Sequence, residues 1–209
     1  MKRVIPRPET GLGSFIELVV IVALAVGLAW TIQAFLIKPY RIPSGSMIPT
    51  LEIGQRVLVS RVNYHFSDPD VGDIVVFHPP AGADPPNERC ADPDAGQGTK
   101  AACDEGTAEP SEETYIKRIV AGPGDRLYVQ NGHPVVDGVE AEEDFTRPCN
   151  GAPTCDLPEE IEIPDDQYFM MGDNRGSSDD SRVWGPVPRD EIIGQAFFTY
   201  WPPDRLGVP

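Results

Sequence analysis

Ser44 and Ser46 flank a glycine in Pro43-Ser44-Gly45-Ser46-Met47-Ile48-Pro49-Thr50-Leu51, and prolines bracket the group. Proline fixes φ and glycine admits unusual backbone angles, so this segment can form a rigid, exposed elbow. A hydroxyl held on such an elbow is a candidate nucleophile; a solvated turn has the same spelling. A nucleophilic serine needs a base. The three histidines, His65, His78 and His133, have no acid-flanked setting and read as ordinary residues. Past Lys38 the lysines are Lys100 and Lys117. Lys100 lies in an acidic, small-residue stretch and reads as solvated. Lys117 stands inside the apolar run Tyr115-Ile116-Lys117-Arg118-Ile119-Val120. An ammonium among apolar neighbours loses hydration and its pKa falls, and a neutral amine can take a proton from a serine. A lysine at a sheet edge reaching water is the ordinary alternative. A third cluster, Gly172-Asp173-Asn174-Arg175-Gly176-Ser177-Ser178-Asp179-Asp180-Ser181-Arg182, packs short polar side chains that build turns by bonding their own backbone. The residues offer no metal-ligand cluster, and neither a metal nor a cofactor is expected.

These residues must be held by strands. The apolar runs at 56–64, 73–78, 115–120, 168–171 and 192–201 are short, rich in β-branched and aromatic residues, and bounded by Gly, Pro, Asp or Asn. Residues 127–136 read as a hairpin, because Asn131-Gly132 suits a type I′ turn. Twenty glycines and 23 prolines in 209 residues argue against a helical bundle. The expected class is mostly β. Before it, residues 14–37 carry an apolar run with no polar side chain from Leu18 to Trp30, long enough to cross a bilayer's ~30 Å hydrocarbon core as one helix. A cleaved signal peptide is the rival, but the run is long for one and AFLIKPYRIP lacks an A-x-A cleavage pattern. Lys2, Arg3 and Arg7 precede it, favouring a cytoplasmic tail over residues 1–13 and an extracytoplasmic domain over 38–209.

The net charge of −16 and 40% hydrophobic content exclude a nucleic-acid binder and a wholly disordered acidic chain. The charge is uneven. Residues 80–114 hold nine acids and two bases with almost no large apolar side chain, and read as a long acidic surface loop. Residues 137–166 hold eleven acids and Arg147, the outer part of a small cap subdomain over 127–166. The acidity therefore reads as decoration outside the chemistry. Cys90, Cys103, Cys149 and Cys155 form no C-x-x-C and allow three pairings. Local pairs, Cys90–Cys103 and Cys149–Cys155, are favoured in an oxidising compartment; a four-thiolate zinc site is the rival, with spacings unlike common knuckles.

The three boxes in this order and spelling, P-S-G-S-M-I-P-T-L, Y-I-K-R-I-V-A-G-P-G-D and G-D-N-R-G-S-S-D-D-S-R-V-W-G-P-V, resemble those of bacterial type I signal peptidases. The preceding apolar span and RVLVSRVNY fit the same layout, and the resemblance covers nearly all of residues 14–200. It implies a β catalytic core with a small inserted β cap behind one transmembrane helix. It implies Ser46 as nucleophile and Lys117 as general base. Ser44 and the backbone N–H of Ser46 would bind the oxyanion. Ser178 would orient the lysine, Asp180 and Arg182 would brace the site, and Ile42 and Ile116 would line small pockets for Ala-x-Ala side chains. The implied activity is removal of signal peptides from exported preproteins through an acyl-enzyme at the bacterial plasma membrane. The expected partners are preprotein signal peptides, the lipid bilayer and the secretion machinery. Where the family often has Asp-Asn after Gly-Asp-Asn-Arg, this chain has Gly176-Ser177. A membrane-tethered β module that only binds a partner is the runner-up. A self-cleaving Ser-Lys repressor is disfavoured, since the sequence has no basic DNA-binding domain.

Overall fold

The computed structural model describes residues 11–86, 89–96, 101–149 and 155–209. The cytoplasmic-tail expectation falls largely on residues 1–10, and Lys100 on 97–100; both lie outside the described residues. The first described element is helix α1, Gly11–Phe35. Its side chains from Ser14 to Thr31 are exposed, and the stretch Gly13–Thr31 is long and apolar enough to cross a membrane. The helix ends earlier than residue 37. Pro39 cannot continue a helix and pushes its predecessor into extended backbone, so Ile37–Arg41 becomes strand β1.

The described strands then run β2 Arg56–Ser60, β3 Ile74–Phe77, β4 Tyr115–Ala121, β5 Arg126–Gln130, β6 His133–Val136, β7 Val139–Glu140, β8 Leu157–Glu162, β9 Gln167–Met171, β10 Val187–Pro188 and β11 Ile192–Trp201. They form a seven-stranded sheet, β1-β2-β11-β3-β4-β9-β10, and a four-stranded sheet, β7-β6-β5-β8. Every pairing is antiparallel. β1 is an edge strand, where Pro39 can sit with no N–H to donate. Register shifts in β11 and between Ile119 and Ala121 in β4 mark bulges, which bend a sheet. The hairpin β5–β6 turns on Asn131 and Gly132, with φ of 53° and 83°, as a type I′ turn requires.

Core packing fixes where the functional segments lie. Met47 and Leu51, four residues apart and joined by a Leu51 N–H to Met47 C=O hydrogen bond of 2.8 Å, are buried on Val57, Val59, Ile74 and Val76. Each such side chain contributes about 1.5–3 kcal/mol. The elbow is therefore nailed to the sheet from beneath, and its serines face outward. Val75, Phe77, Ile119, Met170 and Trp184 form a second cluster. In a third, Val120, Phe169 and Met171 of the large sheet pack on Leu127, Val129 and Ile161 of the small one. The segment 80–114 is less loop-like than its composition predicts. Cys90 and Cys103 are disulfide-bonded and, with Ala83 and Ala102, buried. Short residues can pack close to the core without offering a large apolar signal.

Candidate active site

The segments 40–46 and 113–117 face each other across a groove of about 600 Å³. Ile42, Ser44, Ser46, Ile116 and Lys117 all line it. Ser46 Oγ lies 3.5 Å from Ser44 Oγ. The N–H of Ser46 donates to no acceptor recorded among the described residues, so it remains available beside the Ser44 hydroxyl.

Lys117 lies in β4, whose neighbours are β3 and β9. An interior strand gives a lysine no edge from which to reach water, and the residue is only 3% exposed. Its Nζ donates to Ser178 Oγ at 2.8 Å. Burial is the main influence on the amine and lowers its pKa to about 8, against the opposing pull of Asp180 and Asp179. Behind it, Asp180 is 0% and Arg182 2% exposed. Arg182 Nε and Nη2 donate to Asp180 Oδ1 and Oδ2 at 2.7 and 2.8 Å, a two-pronged pair. Arg182 Nη2 also donates to the Arg175 carbonyl at 2.9 Å. Burial would push the Asp180 carboxyl up. Arg182, Lys117 and the Gly172 N–H nevertheless hold it below the ordinary carboxylate range. Asp180 further caps the short helix α2, Ser181–Trp184. Its charge thus fixes the turn that presents Ser178.

Five positioning residues carried no individual assignment in the sequence reading: Thr50, Arg118, Gly172, Asp173 and Asn174. Asp173 is completely buried. Arg118 Nε and Nη2 donate to its two oxygens at 2.9 and 2.7 Å, and Thr50 Oγ1 donates to Oδ2 at 2.5 Å. One carboxylate therefore ties the residue after Lys117 to the residue four past Ser46. Asn174 straps the elbow directly. Its N–H donates to Ser46 C=O at 2.9 Å and its Nδ2 to Gly45 C=O at 3.0 Å. The short polar residues of 172–182 signalled a turn-rich loop, but not which partners they meet across the chain.

The remaining candidates lie elsewhere. None of the histidines lines the groove among the described residues. His78 Nδ1 lies 3.0 Å from the Ser111 carbonyl, and His133 is 3.9 Å from Glu143. Cys149 and Cys155 are disulfide-bonded under the 172–182 loop. A Cβ on Gly176 would stand 3.3 Å from the Cys149 carbonyl. No group of three or more metal-binding side chains occurs among the described residues.

The signal peptidase family, peptidase S26, matches residues 15–201. The probable signal peptidase I-1 of Synechocystis sp. is 39% identical over 203 residues, covering 97% of this chain and 89% of that protein. Signal peptidase I of Leptolyngbya laminosa is 36% identical over 187 residues, 89% of this chain and 79% of that one. Signal peptidase IB of Staphylococcus aureus (strain COL) is 27% identical over 202 residues, 90% of each. Similarity that begins within the apolar helix and ends at the last residue of β11 spans every element that builds the groove, and the chain belongs to the signal peptidases, the serine endopeptidases of peptidase family S26.

Proposed function

We propose that this signal peptidase cuts exported preproteins after small residues with a Ser46–Lys117 dyad, working from a membrane anchor formed by α1. The observation that carries this reading is the amine of Lys117. It is buried, depressed to about 8, aimed by Ser178 and placed on the same groove as Ser46. Neutral Lys117 takes the Ser46 Oγ proton as Oγ bonds to the carbonyl carbon of the scissile peptide. The Ser44 hydroxyl and the Ser46 N–H stabilise the oxyanion, a contribution of about 2.7–4 kcal/mol per donor. The C–N bond then breaks, and the ammonium of Lys117 protonates the leaving amine. A water gives a proton to the restored amine as its oxygen bonds to the acyl carbon; the C–Oγ bond then breaks and the ammonium returns that proton to Ser46 Oγ. Ile42 and Ile116 line the same groove as Ser46, and their apolar side chains suit the small residues of an Ala-x-Ala sequence.

The anchor sets the depth of the cut. Ser46 follows Ile37 by nine residues, so it stays within about 30 Å of the bilayer by extended-chain reach. A signal peptide held by its own apolar segment brings its end to that depth. The basic residues before α1 favour an N-terminus inside and the catalytic domain outside the cytoplasm.

Ser46→Ala is expected to abolish preprotein cleavage in vesicles and covalent labelling by a serine-directed inhibitor. Full turnover by that variant overturns the reading. The pH profile gives a second check. The base works only when neutral, so kcat/KM rises nearly tenfold per pH unit below about 8 and levels off above it. A flat profile between pH 6 and 9 would exclude Lys117 as the base.

A further inference from the structure

The chain between β7 and β8 grips the loop that carries Ser178. Arg175 of that loop is buried, and its guanidinium is bonded from two sides. Toward the active site, Nε donates to the Gly172 carbonyl at 2.9 Å. Toward the small sheet, Nη2 donates to Glu143 Oε1 at 2.8 Å, and Nη1 stands 2.6 Å from Glu143 Oε2 while donating to the Gly132 carbonyl. Gly132 is at the tip of the β5–β6 hairpin. A Cβ there would stand 3.1 Å from Arg175 Cβ, so the tip rests directly on the arginine. The Glu143 side chain is only 7% exposed. Its backbone is fixed as well. Thr146 N–H and Oγ1 donate to the Glu143 carbonyl at 3.3 and 3.0 Å. Next in the chain, Arg147 N–H donates to the Asp173 carbonyl at 2.8 Å, and Cys149 ties the segment to Cys155.

The pairing has an electrostatic reason. A guanidinium does not lose its proton, and a buried charge needs a partner. The buried carboxylates of the arginine's own loop are taken, Asp173 by Arg118 and Asp180 by Arg182. Glu143 supplies the ion pair of Arg175 among the described residues. The path from there to the chemistry is short. The carbonyl that Arg175 holds belongs to Gly172, whose Cβ position is 2.2 Å from Ser178 Oγ and 2.5 Å from the Ser46 carbonyl. The Arg175 carbonyl also accepts from Arg182, the partner of Asp180. Glu143 does not line the groove, yet through one guanidinium it bears on the backbone beside both Ser46 and Ser178.

Resting on the assignment of Ser46 and Lys117 as the dyad, we infer that Glu143 is a positioning residue for cleavage: it neutralises and aims Arg175, which holds Gly172 and, through it, the contact of Ser178 with Lys117. The acid-rich stretch 137–166 is therefore not decoration throughout.

The test uses the full chain in detergent micelles cleaving a preprotein, below the melting temperature of every variant. Glu143→Gln keeps the shape of the side chain and removes its charge. It is expected to lower kcat about tenfold or more, since a displacement of about 1 Å can cost about 10²-fold. KM should stay within about twofold, because Glu143 lies off the groove. The loss persists at high salt, as a buried pair is little screened. Glu142→Gln, which removes an exposed neighbouring charge, leaves kcat unchanged. Residues that act as a unit are not additive, so adding Glu143→Gln to Arg175→Met costs less than about twofold more. A folded Glu143→Gln enzyme with wild-type kcat overturns the inference, as does a loss carried by KM or one as large on the Arg175→Met background. If Glu143→Gln does not fold, Glu143→Asp decides, since it keeps the charge and withdraws it by one methylene: a several-fold fall in kcat at unchanged KM supports the role, and wild-type kcat overturns it. A Ser46→Ala control separates the two failures. Cleavage that survives in Ser46→Ala sinks the dyad assignment. Cleavage lost there, with kcat unmoved by the Glu143 variants, sinks the positioning role alone.

Discussion

Exchanging Lys117 for methionine is expected to lower kcat/KM by about 10³-fold or more while the protein stays folded. Loss of a general base removes about 10²–10⁴-fold in rate, and none of the histidines lines the groove to replace it. Stability follows a separate balance. The folded-state pKa of Lys117, about 8, lies below the ordinary lysine value of 10.5. Between those values the unfolded chain binds more protons than the native one, so stability rises with pH across that window. Below about pH 8 the native protein carries the whole penalty of the buried amine. Methionine has a similar length and no charge, so it removes that penalty. It also leaves the Ser178 hydroxyl without its 2.8 Å partner, at about 1–3 kcal/mol. The two effects oppose each other, and the melting temperature should move by only a few degrees at neutral pH. Lys117→Arg should be as inactive, because a guanidinium does not deprotonate. Preprotein cleavage and thermal melts on both variants check this. Retention of more than a tenth of the activity in Lys117→Met would place the base elsewhere.

The strand core and the hairpin turn were legible because their signals are local. Val57, Val59, Ile74 and Val76 sit in short β-branched runs, and Asn131-Gly132 names its own turn. β8 was not legible, because LPEEIE breaks the two-residue alternation of a strand, with a register shift between Leu157 and Ile161. Leu157 and Ile161 are buried while Glu159 and Glu160 are exposed, and the acids dominate the composition and made the segment read as solvated. β1 was masked by the apolar helix before it, with Pro39 the sole local sign of a boundary. For the candidate site, the proline-bracketed elbow and the apolar strand marked its serines and Lys117 only as candidates beside ordinary readings, and the resemblance to signal peptidases singled out Ser46 and Lys117. The ties between segments were invisible. Asp173 meets Arg118 across 55 residues and Thr50 across 123. A contact at that separation leaves no periodicity or spacing in the chain. The groove-lining ends of 80–114 were hidden for the same reason, because Ala83 and Pro85 reach the groove only once the fold brings them beside Tyr115.

Gly172→Ala is expected to disable cleavage through a single methyl group. A Cβ at that position would stand 2.2 Å from Ser178 Oγ and 2.5 Å from the Ser46 carbonyl, far inside van der Waals contact. The backbone has no easy retreat. Gly172 N–H donates to Asp180 Oδ2 at 3.1 Å, and its carbonyl accepts from Arg175 Nε at 2.9 Å. Asp180 and Arg182 are buried and paired, so moving either strains a charge pair that is costly to open. The methyl must therefore displace Ser178 from the lysine amine, or the Ser46 elbow from its Asn174 strap, or both. Overpacking of this kind costs about 1–3 kcal/mol, a fall in melting temperature of several degrees for a chain of this size. The larger effect is on rate. A shift of about 1 Å between reacting groups can cost about 10²-fold, and here both the nucleophile's elbow and the residue orienting the base are pushed by the same atom. The loss should appear in kcat more than in KM, because the methyl presses on Ser178 and the Ser46 elbow and not on Tyr40 or Ile42 of the groove wall. A Gly172→Ala variant with wild-type kcat would mean that Ser178 and Ser46 need not be held where they now sit for the bond to be cut.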